Sequence, residues 1–157
     1  MPDIQNSDHV RAAFDAVGDI EGALLPVLHE IQARCGYIPP DTVPLVADRL
    51  NLTRAEVHGV ISYYHHFRDA PAGKVVVQVC RAEACQAVGA EQLAAHAVKL
   101  LGCDFHETSK DGAVTLEPVY CLGHCACGPS IMVGDDVHAR VTPARFDQLI
   151  QRAGSTA

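Results

Sequence analysis

Val75-Val76-Val77-Gln78-Val79-Cys80-Arg81-Ala82-Glu83-Ala84-Cys85 is an apolar run that ends in a cysteine, turns, and meets a second cysteine five positions on. A later stretch, Ala113-Val114-Thr115-Leu116-Glu117-Pro118-Val119-Tyr120-Cys121-Leu122-Gly123-His124-Cys125, ends in the same way, with its cysteines four positions apart. Val75–Val79 and Ala113–Val119 read as strands, since β-branched residues fill short apolar runs bounded by turns. Each cysteine pair therefore sits where a strand stops and the backbone must turn. Ala82, Ala84, Gly123, Ala126 and Gly128 keep both loops slim, and Pro129 stiffens the exit. Slim loops let backbone N–H groups approach sulfur, and turned N–H groups are donors for negative charge.

Working outward, Gly89–Leu101 reads as a helix with Leu93, Ala97 and Leu100 on one face. Lys110-Asp111-Gly112 is a turn. Ser130–Val133 and Val137–Val141 flank Gly134-Asp135-Asp136 as a hairpin. Thr142-Pro143 opens a last helix to about Arg152, with Thr as cap and Pro in the first helical position. Ala153–Ala157 reads as a fraying tail. Upstream the pattern is helical. His9–Val17 follows Ser7 and Asp8 as caps, and Ala23–Ala33 carries Leu24, Leu25, Leu28 and Ile31 at helical spacing up to Cys35-Gly36. Asp41 caps a helix to Leu50 that buries Val43, Val46, Ala47 and Leu50. Thr53-Arg54-Ala55-Glu56 is a capping box for a helix bearing Val57, Val60, Ile61, Tyr64 and Phe67. Arg68–Gly73 marks a boundary. The fold class is therefore α+β: a helical region over 1–73, then a mixed-sheet, thioredoxin-like layout over 74–157. The apolar faces of the helical region are expected to pack on the sheet, and its exposed faces to dock a partner.

Composition narrows the function. Net charge is −7 in 157 residues, with no basic patch, which argues against nucleic-acid binding. No apolar run nears the roughly 20 residues that span a bilayer. Met1–Asn6 lacks the features of a secretory signal, so a cytoplasmic location is expected. Seven cysteines in a reducing compartment point to metal binding or catalysis before disulfides. No Gly-rich phosphate loop of the Rossmann kind and no nucleophile–base pair stands out, so neither NAD nor flavin binding nor catalysis is expected of this chain alone.

Spacing by itself says metal site and leaves the metal open. Four thiolates hold structural zinc, usually at C-x₂₋₄-C spacing. They also hold an iron–sulfur centre, each pair taking one iron, with a total charge of about −2 when oxidised. A thioredoxin redox pair wants C-x-x-C, and a plant-type ferredoxin wants a third cysteine soon after Cys85; neither is present.

Cys80-x₄-Cys85 with Cys121-Leu122-Gly123-x-Cys125-x₃-Pro129 resembles the thioredoxin-like [2Fe–2S] ferredoxin family. That family includes the peripheral iron–sulfur subunit of respiratory complex I and its relatives in NAD-linked hydrogenases and formate dehydrogenases. The likeness extends through Leu24–Gln32, Gly36-Tyr37-Ile38-Pro39 and Ala55–Val60, about residues 20–150 in all. Glu56-Val57-His58-Gly59-Val60 and Tyr63-Tyr64-His65-His66-Phe67 most resemble the gamma subunit of NAD-dependent, molybdenum-containing formate dehydrogenase. Ser62-Tyr63-Tyr64 stands where the complex I branch typically has Thr-Phe-Tyr.

The resemblance implies one [2Fe–2S] cluster held by Cys80, Cys85, Cys121 and Cys125, in a non-catalytic electron-transfer subunit. It implies two partners, a flavin/NAD-binding subunit and a molybdenum-containing subunit that oxidises formate. The equivalent subunit of complex I or of a hydrogenase is the alternative. A zinc-stabilised assembly module is an alternative of another class. Arg81 is expected near the cluster, raising its potential. Cys127 would have to displace Cys125 to bind, so it is expected as a non-ligand thiol. Cys35 and Cys103 read as ordinary buried or half-buried thiols. His124 lies in the loop, but four cysteines already complete the ligand set, and the adjacent His65 and His66 point apart on a helix. Glu83, Asp135 and Asp136 read as solvated turn residues.

Overall fold

In a computed structural model, residues 4–155 are described. The chain divides into two compact units, Met1–Pro71 and Ala72–Ala157. The division falls two residues ahead of the 73/74 boundary read from the sequence. Gly73 already belongs to the sheet unit: its N–H donates to Thr115 Oγ1 at 2.7 Å, and a Cβ there would stand 3.0 Å from the backbone of Gly112 and Val114.

The first unit is four helices: α1 (Ile4–Val17), α2 (Leu24–Cys35), α3 (Thr42–Leu50) and α4 (Arg54–Tyr63). Phe14, Val27, Leu28, Ile31, Val46, Val57 and Phe67 are buried together, so the apolar faces close on one another in a core of their own. Gly36 ends α2 in the left-handed conformation, as Cys35-Gly36 suggests. Three local expectations fail. Ser7 and Asp8 lie inside α1 and do not cap it. The helix is already formed at Ile4, and Asn6 within it donates from Nδ2 to the Asp41 carboxylate at 2.9 and 3.1 Å. Asp41 stands at the N-cap position of α3 as read, but its carboxylate takes Asn6 and makes no side-chain cap; Val43 and Leu50 are only partly buried. Finally, α4 stops at Tyr63. The buried amide of Gln32 donates to the His66 carbonyl and accepts from Arg68 N–H, both at 2.8 Å, which holds the segment out of helix and buries Phe67 from a turn.

The capping box is present. Thr53 Oγ1 accepts the Glu56 N–H at 3.2 Å, and the Glu56 carboxylate accepts the Thr53 N–H at 2.8 Å. That backbone donor, with the Thr53 hydroxyl, holds the Glu56 carboxyl below its ordinary value. A depressed folded-state pKa contributes stability above the ordinary carboxylate range and loses it as pH falls through the depressed value. Thr53→Ala is expected to cost about 1 kcal/mol in urea unfolding followed by circular dichroism. No measurable loss would show that the cap is not used.

The second unit is a five-stranded mixed sheet with helices. In chain order it runs β1 (Val75–Cys80), α5 (Glu83–Gln86), α6 (Ala90–Leu101), β2 (Glu107–Thr108), β3 (Val114–Val119), β4 (Ile131–Val133), β5 (Asp136–His138) and α7 (Pro143–Ser155). The strand order is β2-β3-β1-β4-β5. β1 lies at the centre, parallel to β3 and antiparallel to β4. Val77, Val79, Leu116 and Ile131 from the sheet share a core with Leu93, Ala94 and Ala97 of α6 and Phe146 of α7. Fully burying a side chain of Phe146's size is worth about 1.5–3 kcal/mol. His96 on α6 and Asp147 on α7 meet at 2.6 Å. Ala94, not Leu100, completes the buried face of α6; Leu100 is exposed. Helix α7 continues past Arg152 to Ser155, so Ala153–Ser155 are helix where a tail was read, while residues 156–157 lie outside the described range. The α+β, thioredoxin-like class stands.

Candidate metal centre

Parallel pairing of β1 with β3 sets Cys80 opposite Val119, so both strands release their loops at the same end of the sheet. Arg81 N–H donates to the Val119 carbonyl at 2.7 Å, and Cys80 N–H to the Ser130 carbonyl at 3.0 Å. The loop after β3 therefore passes across the end of β1 before entering β4. From the other side, Arg140 N–H donates to the Cys127 carbonyl at 2.8 Å and Val141 N–H to the Pro129 carbonyl at 2.9 Å. The Gly128–Pro129 peptide is cis.

The single turn α5 folds Cys85 back over the strand end, with Cys85 N–H donating to the Ala82 carbonyl at 2.9 Å. Cys80 and Cys85 are buried, at 1% and 2% exposure. Burial foremost, then the neighbouring Cys80 thiol, pushes the Cys85 thiol up, while the amide and hydroxyl of Ser130 pull against the rise. Cys121 and Cys125 are exposed, with their sulfurs 3.5 Å apart. Cys121 holds φ at 104°, a region that L-residues rarely adopt and that concentrates at functional sites. Gly123, at φ 79°, turns its N–H onto Cys121 Sγ at 3.4 Å. That N–H, first of all, lowers the Cys121 thiol; Cys125, sharing a hydrogen bond with it, is raised. The charge of Cys80 also reaches Cys125.

The four thiols thus gather at one sheet end as two pairs, one buried and one exposed. Among the described residues, no three or more His, Cys, Asp or Glu side chains close into a single metal-holding group. Four thiols in two pairs match the ligand number of a two-iron centre, in which each iron takes one pair.

The other sequence candidates take no part in these two pairs. The Arg81 guanidinium makes a bidentate pair with Glu91 of α6, both contacts at 3.0 Å, and lies over the Phe105 ring at 5.1 Å; its charge is already matched. Cys127 is half-buried, with Arg140 Nη2 3.9 Å from its sulfur. His124 Nδ1 lies 3.0 Å from the Leu122 carbonyl. His66 packs against His29 and Phe67, and burial lowers its pKa. Cys35 is half-buried and Cys103 buried, and burial pushes both thiols up. Glu83 starts α5 and is no turn residue. Sequence reasoning passed over Ser130 as a mere strand start, although Gly128-Pro129-Ser130 directly after the second cysteine pair was the available signal.

A profile described as thioredoxin-like [2Fe–2S] ferredoxin matches residues 10–154. The chain belongs to that family. As a thioredoxin-like [2Fe–2S] ferredoxin it is an iron–sulfur electron-transfer protein whose cofactor is one [2Fe–2S] cluster, which sets the zinc alternative aside. It is similar to the NADP-reducing hydrogenase subunit HndA of Solidesulfovibrio fructosivorans, 37% identical over 131 residues that cover 83% of this chain and 76% of that protein. It is likewise similar to NADH-quinone oxidoreductase subunit 2 of Thermus thermophilus, 36% identical over 135 residues covering 84% and 75%. A solved chain of an NAD⁺-reducing [NiFe]-hydrogenase in the H₂-reduced state superposes with a TM-score of 0.71. At 20% identity, over 86% of this chain and 22% of that one, this likeness speaks for the fold alone. No helix among the described residues is long and apolar enough to cross a membrane.

The residues present fit the family's cluster. The donor set is all sulfur, as iron–sulfur clusters require. A Gly N–H is already aimed at Cys121 Sγ. A Cβ on Gly128 would come within 3.2 Å of Cys85 Sγ, so the loop lies against the sulfur with no room to spare.

Proposed function

We propose that this chain is the [2Fe–2S] subunit of a multisubunit, NAD-dependent formate dehydrogenase, with Cys80, Cys85, Cys121 and Cys125 holding its cluster. In this reading it sits next to the flavin/NAD-binding subunit, and a molybdenum-containing subunit oxidises formate. The observation that carries the electron-transfer role is the pairing of four thiols at one end of the sheet, two buried and two exposed. Bound there, the cluster supplies a one-electron centre between two-electron chemistries. Cys80 and Cys85 keep their sulfurs from water, which shields that side of the charge. Cys121 and Cys125 stay at the surface beside the exposed Tyr120, which leaves a short path to a partner.

Formate as the substrate rests on Glu56–Val60 and Tyr63–Phe67, whose wording resembles the formate dehydrogenase gamma subunit. The second reading is the equivalent subunit of an NADH–quinone oxidoreductase or an NAD(P)-linked hydrogenase, and the relatives described above favour it. Purification of a tagged chain from its native host decides between them. The expected complex contains molybdenum and flavin and reduces NAD⁺ with formate. Reduction of NAD⁺ or NADP⁺ with hydrogen, or NADH–quinone activity, in a complex without molybdenum moves the assignment to the second reading.

A further inference from the structure

Among the described residues, one buried side-chain oxygen has no hydrogen-bond partner: Ser130 Oγ. Ser130 is 1% exposed, so bulk solvent does not reach it. A buried hydroxyl left without a partner is unfavourable, which asks for a partner that arrives later. The loop shows where it comes from. The Ser130 carbonyl is fixed by Cys80 N–H at 3.0 Å, and Gly128, two residues earlier, lies against Cys85 Sγ. The amide and hydroxyl of Ser130 are both near enough to draw the Cys85 thiol down, yet the hydroxyl makes no hydrogen bond of ordinary geometry to that sulfur, which is itself buried. A thiol is a weak acceptor. A metal-bound thiolate is anionic, and hydrogen bonds to charged acceptors are roughly twice as strong as neutral ones.

We propose that the Ser130 hydroxyl is a donor reserved for the Cys85 sulfur when that sulfur is a cluster thiolate, and that this bond raises the reduction potential. The proposal rests on the ligand set given above. On reduction the site gains one electron and its charge goes from about −2 to about −3. A buried donor stabilises the more negative state more, so it favours reduction, and hydrogen bonds to cluster sulfurs are among the determinants of potential. Ser130 is a positioning residue here, not a ligand.

The test uses full-length, cluster-loaded protein, titrated with dithionite and redox mediators and read by EPR, with iron and sulfide counted. Ser130→Ala is expected to keep two irons, two sulfides and its EPR signal. Its midpoint should fall by about 59 mV, a tenfold change in the one-electron equilibrium. Ser130→Thr, which keeps the hydroxyl, should stay at the wild-type value. An unchanged midpoint in Ser130→Ala overturns the proposal, as does loss of its cluster. A shift in Ser130→Thr as large as that of alanine also overturns it, because packing would then set the potential. Cys85→Ser, run alongside, separates this from the ligand set. If that variant keeps an unaltered cluster, the ligand set fails. If it loses the cluster while Ser130→Ala leaves the potential unmoved, only the role of Ser130 fails.

Discussion

Cys85→Ser is expected to purify colourless, with the iron, the acid-labile sulfide and the reduced-state EPR signal all lost. Cys127→Ser is expected to stay brown, with two irons and two sulfides per chain. Iron–sulfur clusters are held by thiolates, and a serine hydroxyl stays protonated at neutral pH. Geometry then decides which thiol can be spared. Cys85 is 2% exposed, folded back by α5 onto the end of β1, with Cys80 and Ser130 beside it. Cys127 is the nearest in sequence to the second pair, but its carbonyl is tied to Arg140 N–H at 2.8 Å and its sulfur lies 3.9 Å from the Arg140 guanidinium. A brown Cys85→Ser protein with a full complement of iron would remove Cys85 from the ligand set. A colourless Cys127→Ser protein would bring Cys127 into it.

The parts of this site that were legible in the sequence were those encoded locally. Cysteines at strand ends, small residues between them and the Thr53–Glu56 capping box all lie within a few positions of one another, and all are found where they were read. What was not legible depends on partners far away in the chain. α4 looked long enough to carry Tyr64 and Phe67, but Gln32, over thirty positions earlier, captures the backbone of His66 and Arg68 and ends the helix. β2 has no apolar run, is exposed, and is a strand only because it pairs with Thr115 and Leu116. The centre shows the same divide. Two cysteine pairs were plain, but nothing local says that β1 lies between β3 and β4. That order carries the loop before β4 across the end of β1. It thereby puts Gly128 against a cysteine sulfur and the Ser130 carbonyl on Cys80 N–H, while Arg81 pairs with Glu91.

Gly128→Ala is the sharpest test of that arrangement, because the φ there does not call for glycine. Gly128 has φ −66°, which any residue adopts, so only space is at issue. A Cβ would stand 2.8 Å from Val88 Cγ2, 3.2 Å from Cys85 Sγ and 3.5 Å from Cys85 Cα. The neighbours differ in how far they can yield. Val88 is 53% exposed and can swing toward solvent, while Cys85 is packed on all sides. Overpacking of this kind costs about 1–3 kcal/mol, and here the strain falls on a proposed ligand. The variant is expected to carry less iron, to show an altered EPR line shape and to lose its cluster faster to a chelator. Adding Val88→Ala removes the 2.8 Å clash but not the contact with sulfur, so the double variant should remain defective. Full recovery in the double variant would place the strain on Val88 alone. A Gly128→Ala protein indistinguishable from wild type would mean that the loop does not lie against Cys85 in solution, and the role given to Ser130 would lose its geometric basis with it.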